Sequence, residues 1–283
     1  MTIRTLVTAL ILGIFGGSLI ADPVKLGVFP SNDPAKLQQV MNIFAEYLSE
    51  TTGDEVSAII TQDYNELTKR LREGSVDIAW INTLNYVKIK NDIPEMRYLA
   101  TYMEKNEITG AIMPYYQSYI VSLNSSPYSS LDQLEGKRFA FTDPGSTSGY
   151  AYPNLLLQKN GIVPEEFFGK IFFLKRHDRV VEALRAGSID AGAISDGTYF
   201  TAEEHYGDIL HVIMKSDPIP LDAVVAAEDF PESKMGLYRN ALLAMHPDHR
   251  FCLEMKSFLG WNAAGFDSRD DGFYDSVREA LGL

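Results

Sequence analysis

Only one of the 283 residues, Cys252, is a cysteine, so the chain can form no internal disulfide and no cysteine-only zinc site. Basic residues are scarce beside acidic ones: 25 Lys and Arg stand against 38 Asp and Glu, a formal charge of −13. Phosphate backbones and anionic membranes would be repelled over most of such a surface, which excludes nucleic acid as the main partner. Also missing is an apolar run of the ~20 residues needed to span a bilayer. What remains is globular material, 46% hydrophobic and 22% charged, enough to build a sizeable core. At roughly 100–200 residues per domain, this length suggests one large domain or two lobes.

Residues 1–21 read as a secretory signal. Arg4 is their only charge, and Leu6 to Phe15 form an apolar run that ends in Gly16-Gly17-Ser18 before Ala21. Cleavage after Ala21 would start the mature chain at Asp22-Pro23; cleavage after Ser18 or an uncleaved anchor are the alternatives. Losing Arg4 leaves 24 basic against 38 acidic residues, a charge of about −14. An exported, soluble protein is expected.

The most informative feature is an internal repeat. Leu71-Arg72-Glu73-Gly74-Ser75-Val76-Asp77-Ile78-Ala79 recurs in the second half as Leu184-Arg185-Ala186-Gly187-Ser188-Ile189-Asp190-Ala191-Gly192. The offset between these two segments also pairs Lys25–Phe29 with Arg138–Thr142, and Ala58–Thr61 with Ile171–Leu174. Each half reads strand, helix, strand, helix, strand, which implies parallel sheets with helices on both faces. Gly74 and Gly187 stand where a helix would end, and Asp77 and Asp190 read as structural turn residues. The chain is expected to start in lobe one (22–120), cross to lobe two (121–220) and return for 221–283.

In open α/β sheets, ligands bind outside the carboxyl ends of strands, near helix N-termini. Tyr64 and His177 are equivalent positions of the repeat. Each follows a strand and opens a helix, so both can face a cleft between the lobes. The loop Asp143-Pro144-Gly145-Ser146-Thr147-Ser148-Gly149 puts three hydroxyls at a helix start, where unpaired N–H groups and the helix dipole suit a tetrahedral oxyanion. An ordinary helix cap is the competing interpretation. Asp196 stands between a strand and a helix, where it can cap the helix or pair with a ligand amine. Trp80 and Tyr86 follow a buried strand and suit core and cleft wall equally.

The enzymatic alternatives are weaker. Gly145-Ser146-Thr147-Ser148-Gly149 has Thr147 at the nucleophile place of a hydrolase elbow, and no Gly-Lys-[Ser/Thr] completes a Walker loop. Ser146, His177 and Asp196 have the chemistry of a serine-hydrolase triad, but nothing in the sequence supplies its geometry. Around His246-Pro247-Asp248-His249 no third metal ligand stands out.

Taken in order, several segments resemble the phosphonate/phosphite/phosphate-type periplasmic substrate-binding proteins of ABC transporters. They are Val76-Asp77-Ile78-Ala79-Trp80, Tyr116-x-Ser118-x-Ile120-Val121, Gly145-Ser146-Thr147-Ser148-Gly149-Tyr150-x-x-Pro153, His177, and Ser216-x-Pro218-Ile219-Pro220. The resemblance implies a type II periplasmic-binding fold of two α/β lobes on a two-strand hinge. It implies a non-enzymatic, cofactor-free and metal-free binder, periplasmic, that delivers its ligand to a membrane permease. A sensor reporting to a membrane receptor kinase is the alternative, and a monomer is expected. By carry-over, Tyr64, Ser146, Thr147, Ser148 and His177 hold the phosphonate oxygens, with His177 the one donor able to be cationic. Tyr116 matches a cleft-lining aromatic. Asp196 matches an acidic position in relatives that bind an aminoalkylphosphonate. No role transfers to Trp80 or Asn82.

Overall fold

A computed structural model describes residues 22–94 and 96–283; the expected signal, 1–21, lies outside them. The first unit runs β1 (Val24–Val28), α1 (Pro34–Thr52), β2 (Val56–Ile60), α2 (Tyr64–Arg72), β3 (Ile78–Ile81), α3 (Thr83–Asp92), β4 (Arg97–Lys105) and β5 (Ile112–Met113). α1 shows why these segments become helices. Asp33 caps it by accepting from the N–H groups of Ala35 and Lys36, Pro34 sets its first turn, and left-handed Gly53 ends it. Leu37, Val40, Met41, Phe44 and Leu48 recur at helical spacing and are all buried against the sheet.

The chain then enters β6 (Tyr115–Tyr116) and β7 (Ser118–Leu123). The second unit follows with β8 (Arg138–Phe141), a π-helical turn at Thr147–Ala151 running into α4 (Tyr152–Lys159), α5 (Pro164–Phe167), β9 (Lys170–Phe173), α6 (His177–Arg185), β10 (Ala191–Ser195), α7 (Asp196–Tyr206) and β11 (Leu210–Lys215). β12 (Ile219–Pro220) leads back to β13 (Ala223–Ala226), α8 (Glu232–Leu243), α9 (Arg250–Glu254), β14 (Ala263–Asp267) and α10 (Asp275–Leu281).

Two mixed sheets result. One is ordered β14-β4-β13-β3-β1-β2 with β5 on β4, and the other β11-β7-β10-β8-β9. Between them β6 and β12 pair antiparallel, Ile219 opposite Tyr116, as a two-strand hinge. β11 is an edge strand of the second sheet, antiparallel to β7. The crossing is made by the residues after it.

The repeat extends to register. Leu26 lies opposite Ile78, and their repeat equivalents Phe139 and Ala191 also lie opposite each other. Likewise Lys25 lies opposite Ser57, and Arg138 opposite Lys170. Asp77 accepts a hydrogen bond from the N–H of Lys25 at 2.7 Å, and Asp190 one from the N–H of Arg138 at 2.9 Å. Both aspartates therefore pin the start of a central strand, the structural role expected of them. Gly74 and Gly187 share a φ of +65°, the conformation that ends their helices.

Candidate functional site

Between the two sheets lies a cavity of about 60 Å³. The first unit contributes Tyr64, Asn82, Tyr102, Glu104, Asp222 and Trp261 among others, and the second Ser146, Thr147, Ser148, His177, Ser195 and Asp196, with Tyr116 from the hinge. All seven residues singled out from the sequence line this one space. A buried water needs ~10–15 Å³ by a comparable measure, so the cavity suits an ion of a few heavy atoms with a short substituent.

The serine-rich loop is a helix start. Ser146 caps the π-helical turn by accepting from the N–H of Gly149 at 3.1 Å, which leaves its own proton free. Among the described residues the N–H groups of Thr147 and Ser148 have no protein acceptor, so this turn presents backbone donors to the cavity. Gly145 is required by proximity: a Cβ there would lie 2.6 Å from the Cβ of Tyr64 on the facing unit.

Thr147 does more than face the cavity. Its hydroxyl oxygen accepts from Asn82 Nδ2 at 3.0 Å and from the N–H of Leu84 at 2.9 Å, both on the opposite unit. Asn82 Nδ2 also donates to the carbonyl of Gly145 at 2.8 Å. With both lone pairs occupied, the Thr147 proton is left to point elsewhere, so one hydroxyl links closure to whatever fills the cleft. Asn82 precedes α3 but makes no capping bond there; its side chain spans the cleft instead, with Oδ1 buried and unpartnered. A helix start that gives up its cap marks a site where function overrides local preference.

Burial and hydrogen bonding set the protonation states. Tyr64 and Tyr116 are pushed far up by burial, only partly offset by the neighbouring loop hydroxyls, so both phenols stay protonated as donors. His177 is pulled down to about 4 by burial, against the weaker opposing charge of Asp178. Its Nδ1 accepts the N–H of Ser195 at 3.1 Å, which places the imidazole proton on Nε2. His177 is therefore a neutral donor and not the cationic one the sequence left open. We expect His177→Ala to weaken oxyanion binding by about 1–3 kcal/mol, measured by calorimetry; wild-type affinity would remove it from the site.

The triad arrangement is not assembled. Ser146 is engaged with Gly149, His177 with Ser195, and Asp196 with the N–H of Gly197 at 2.9 Å. Ser195, not Asp196, caps α7. Trp80 and Tyr86 belong to the core: Trp80 is 1% exposed and the Tyr86 hydroxyl donates to Asp271.

Asn82, Tyr102, Glu104, Asp222 and Trp261 were not picked out from the sequence. For Asn82 the signal was present, since its equivalent in the repeat is Ser195, the corresponding helix cap and another cavity residue. Asp222 follows the quoted Pro218-Ile219-Pro220 segment closely.

Three carboxyls are pushed up mainly by burial: Glu104 to about 8, helped by the charge of Asp196, Asp196 to about 6, and Asp222 to about 7. Glu104 and Asp222 thus keep protons at a pH where the unfolded chain has lost them, so stability falls as pH rises through their folded values. His177 acts oppositely and lower down: the unfolded imidazole is protonated below about 6.5 while the folded one resists until about 4. Above pH 6.5 only the carboxyl effect remains. The Tm of the ligand-free protein should therefore drop between pH 6.5 and 8.5, and a flat or rising Tm would contradict these assignments.

A family model described as "ABC transporter, phosphonate, periplasmic substrate-binding protein" matches residues 26–272. The chain belongs to this family. This substrate-binding protein is 28% identical over 219 residues to "Phosphate-import protein PhnD" of Mycolicibacterium smegmatis, covering 74% of the chain and 67% of the relative. It is 26% identical over 192 residues to "Probable ABC transporter phosphite binding protein PhnD1" of Prochlorococcus marinus, covering 66% and 64%. The structure of Prochlorococcus marinus PhnD1 in complex with methylphosphonate superposes with a TM-score of 0.78 at 20% identity, over 91% of this chain and 96% of that one. That likeness establishes the two-lobed periplasmic-binding fold.

Proposed function

We propose that the protein captures a small phosphonate-, phosphite- or phosphate-like oxyanion in the interlobe cleft, in the periplasm, and delivers it to the membrane permease of an ABC transporter. The observation that carries the reading is the donor set. Hydroxyls of Tyr64, Tyr116 and Ser146–Ser148, the Nε2–H of His177 and two free backbone N–H groups converge on one cavity that no described Lys or Arg lines. Such preorganised neutral dipoles stabilise an anion in a water-poor site without a counter-charge. Phosphate, phosphite and methylphosphonate are named for relatives, and all are tetrahedral and small enough for this space.

The protein acts as a binder and not as an enzyme: among the described residues the one imidazole lining the cleft, that of His177, has its lone pair committed to Ser195 and offers no base to Ser146. Residues 1–21 serve as the export signal. Deleting the gene in its host tests the role: growth on phosphonate, phosphite or low phosphate as sole phosphorus source should fail and return with the gene. Normal growth accompanied by loss of ligand-induced gene expression would favour a sensor.

A further inference from the structure

A second seam joins the lobes away from the oxyanion donors. The described residues hold two π-helical turns, a rare element that recurs at functional positions. One, Thr147–Ala151, belongs to the hydroxyl loop. The other, Met255–Leu259 in the first lobe, has no part in it: neither Lys256 nor Gly260 lines the ligand cavity, although Trp261 directly after them does.

This turn is held firmly on its own lobe. Met255 and Leu259 are buried in the core, the Leu259 carbonyl accepts from Asn32 Nδ2 at 3.3 Å, and the Asn262 carbonyl accepts from the N–H of Lys105 at 2.8 Å. Across the seam it meets α7 of the second lobe. Thr201 Oγ1 donates to the Gly197 carbonyl at 2.8 Å and stands 3.3 Å from the Gly260 carbonyl. Gly260 has a φ of +74°, and a Cβ there would fall onto Thr201 Oγ1 and lie 2.6 Å from its Cγ2. Gly145 and Gly260, one from each lobe and each beside a π-helical turn, thus both face a side chain of the opposite lobe. Lys256 Nζ lies 2.6 Å from Glu107 of its own lobe and 3.6 Å from Glu204 on α7.

We propose that residues 255–260 form a closure latch on α7, with Gly260 as a positioning residue that lets the lobes meet and Lys256 reaching Glu204 to hold them. The latch lies outside the ligand cavity. It sets how much of the protein is closed, and through that the apparent affinity and residence time of the ligand. It rests on the oxyanion reading given above, whose ligand is its probe. Its two halves differ in strength. At Gly260 the fit is steric, and any added side chain must push α7 away from a close-packed contact. The Lys256–Glu204 pair is exposed and contributes little by itself.

Calorimetry and stopped-flow release of methylphosphonate, on the full mature chain, test the latch. Gly260→Ala should raise Kd about tenfold or more. Adding Thr201→Gly, which clears every atom the new Cβ meets, should return Kd to within about threefold of Thr201→Gly alone. Altered backbone preference at position 260 and any shift of Trp261 are common to both backgrounds, so only a contact across the seam gives this rescue. Glu204→Gln should release the ligand about two- to fivefold faster, and it decides the matter if circular dichroism finds Gly260→Ala unfolded. Wild-type affinity in Gly260→Ala, or a loss that Thr201→Gly does not restore, overturns the latch and leaves the oxyanion site standing. With Gly260→Ala unfolded, release at the wild-type rate in Glu204→Gln does the same. Silence of the wild type toward methylphosphonate, phosphite and phosphate alike removes the oxyanion reading and the latch together.

Discussion

Replacing Thr147 with valine should weaken methylphosphonate binding by about 2–4 kcal/mol, roughly 30- to 1,000-fold in Kd. The substitution is nearly isosteric, so the effect isolates the hydroxyl. Two losses combine. The ligand loses a hydrogen bond to a charged group, a contribution of ~1.5–3 kcal/mol. The closed cleft also loses the acceptor for the buried N–H of Leu84, which has no other partner among the described residues, and one of two acceptors for Asn82 Nδ2. An unsatisfied buried donor costs ~1–3 kcal/mol, and that penalty falls on the closed form that the ligand requires. Thr147→Ser keeps the oxygen and should retain most of the affinity. Calorimetry decides, and a change of less than threefold in Thr147→Val would dismiss the closure role.

Trp80→Ala should lower folding stability by about 3–5 kcal/mol, read from urea denaturation. Trp80 is 1% exposed, with ring centroids of Tyr102 at 4.7 Å, Phe266 at 5.5 Å, Phe44 at 5.9 Å and Phe251 at 6.0 Å. Truncation opens a void at the centre of this aromatic cluster, where helices and sheet already fit closely and collapse only in part. It also strips Asp222 of its indole donor, leaving a buried carboxyl with less support. A loss below about 1 kcal/mol would mean that Trp80 is a replaceable cleft wall and not core.

How far the sequence spoke depended on whether a feature repeats. The constant offset between the halves located both sets of central strands, paired Tyr64 with His177 at helix starts, and anticipated even the twin roles of Asp77 and Asp190, because a parallel strand–helix unit fixes these positions locally. The hydroxyl loop was legible for the same reason: a helix start after a turn exposes donors wherever it sits. What the sequence did not disclose was tertiary. His177 is neutral because the folded chain buries it, and its tautomer is set by one backbone N–H, that of Ser195, reaching its Nδ1 from the far end of the next strand. Asn82 stands just before a helix, and only the facing lobe supplies the partners of its side chain, Gly145 and Thr147. Glu104 stands near the end of a mostly buried strand and looks like a solvated residue at its rim; only the approach of Asp196 turns it into part of a site.

The scarcity of basic residues that first excluded nucleic acid also characterises the cleft, which no described Lys or Arg lines, so the proposed oxyanion would be held by neutral donors. The most direct test of that claim is isothermal titration of the mature protein with phosphate, phosphite, methylphosphonate and 2-aminoethylphosphonate. The account predicts saturable one-site binding of at least one of them, weakened about 10- to 150-fold in Ser146→Ala. Silence toward all four, or binding that Ser146→Ala leaves intact, would contradict it.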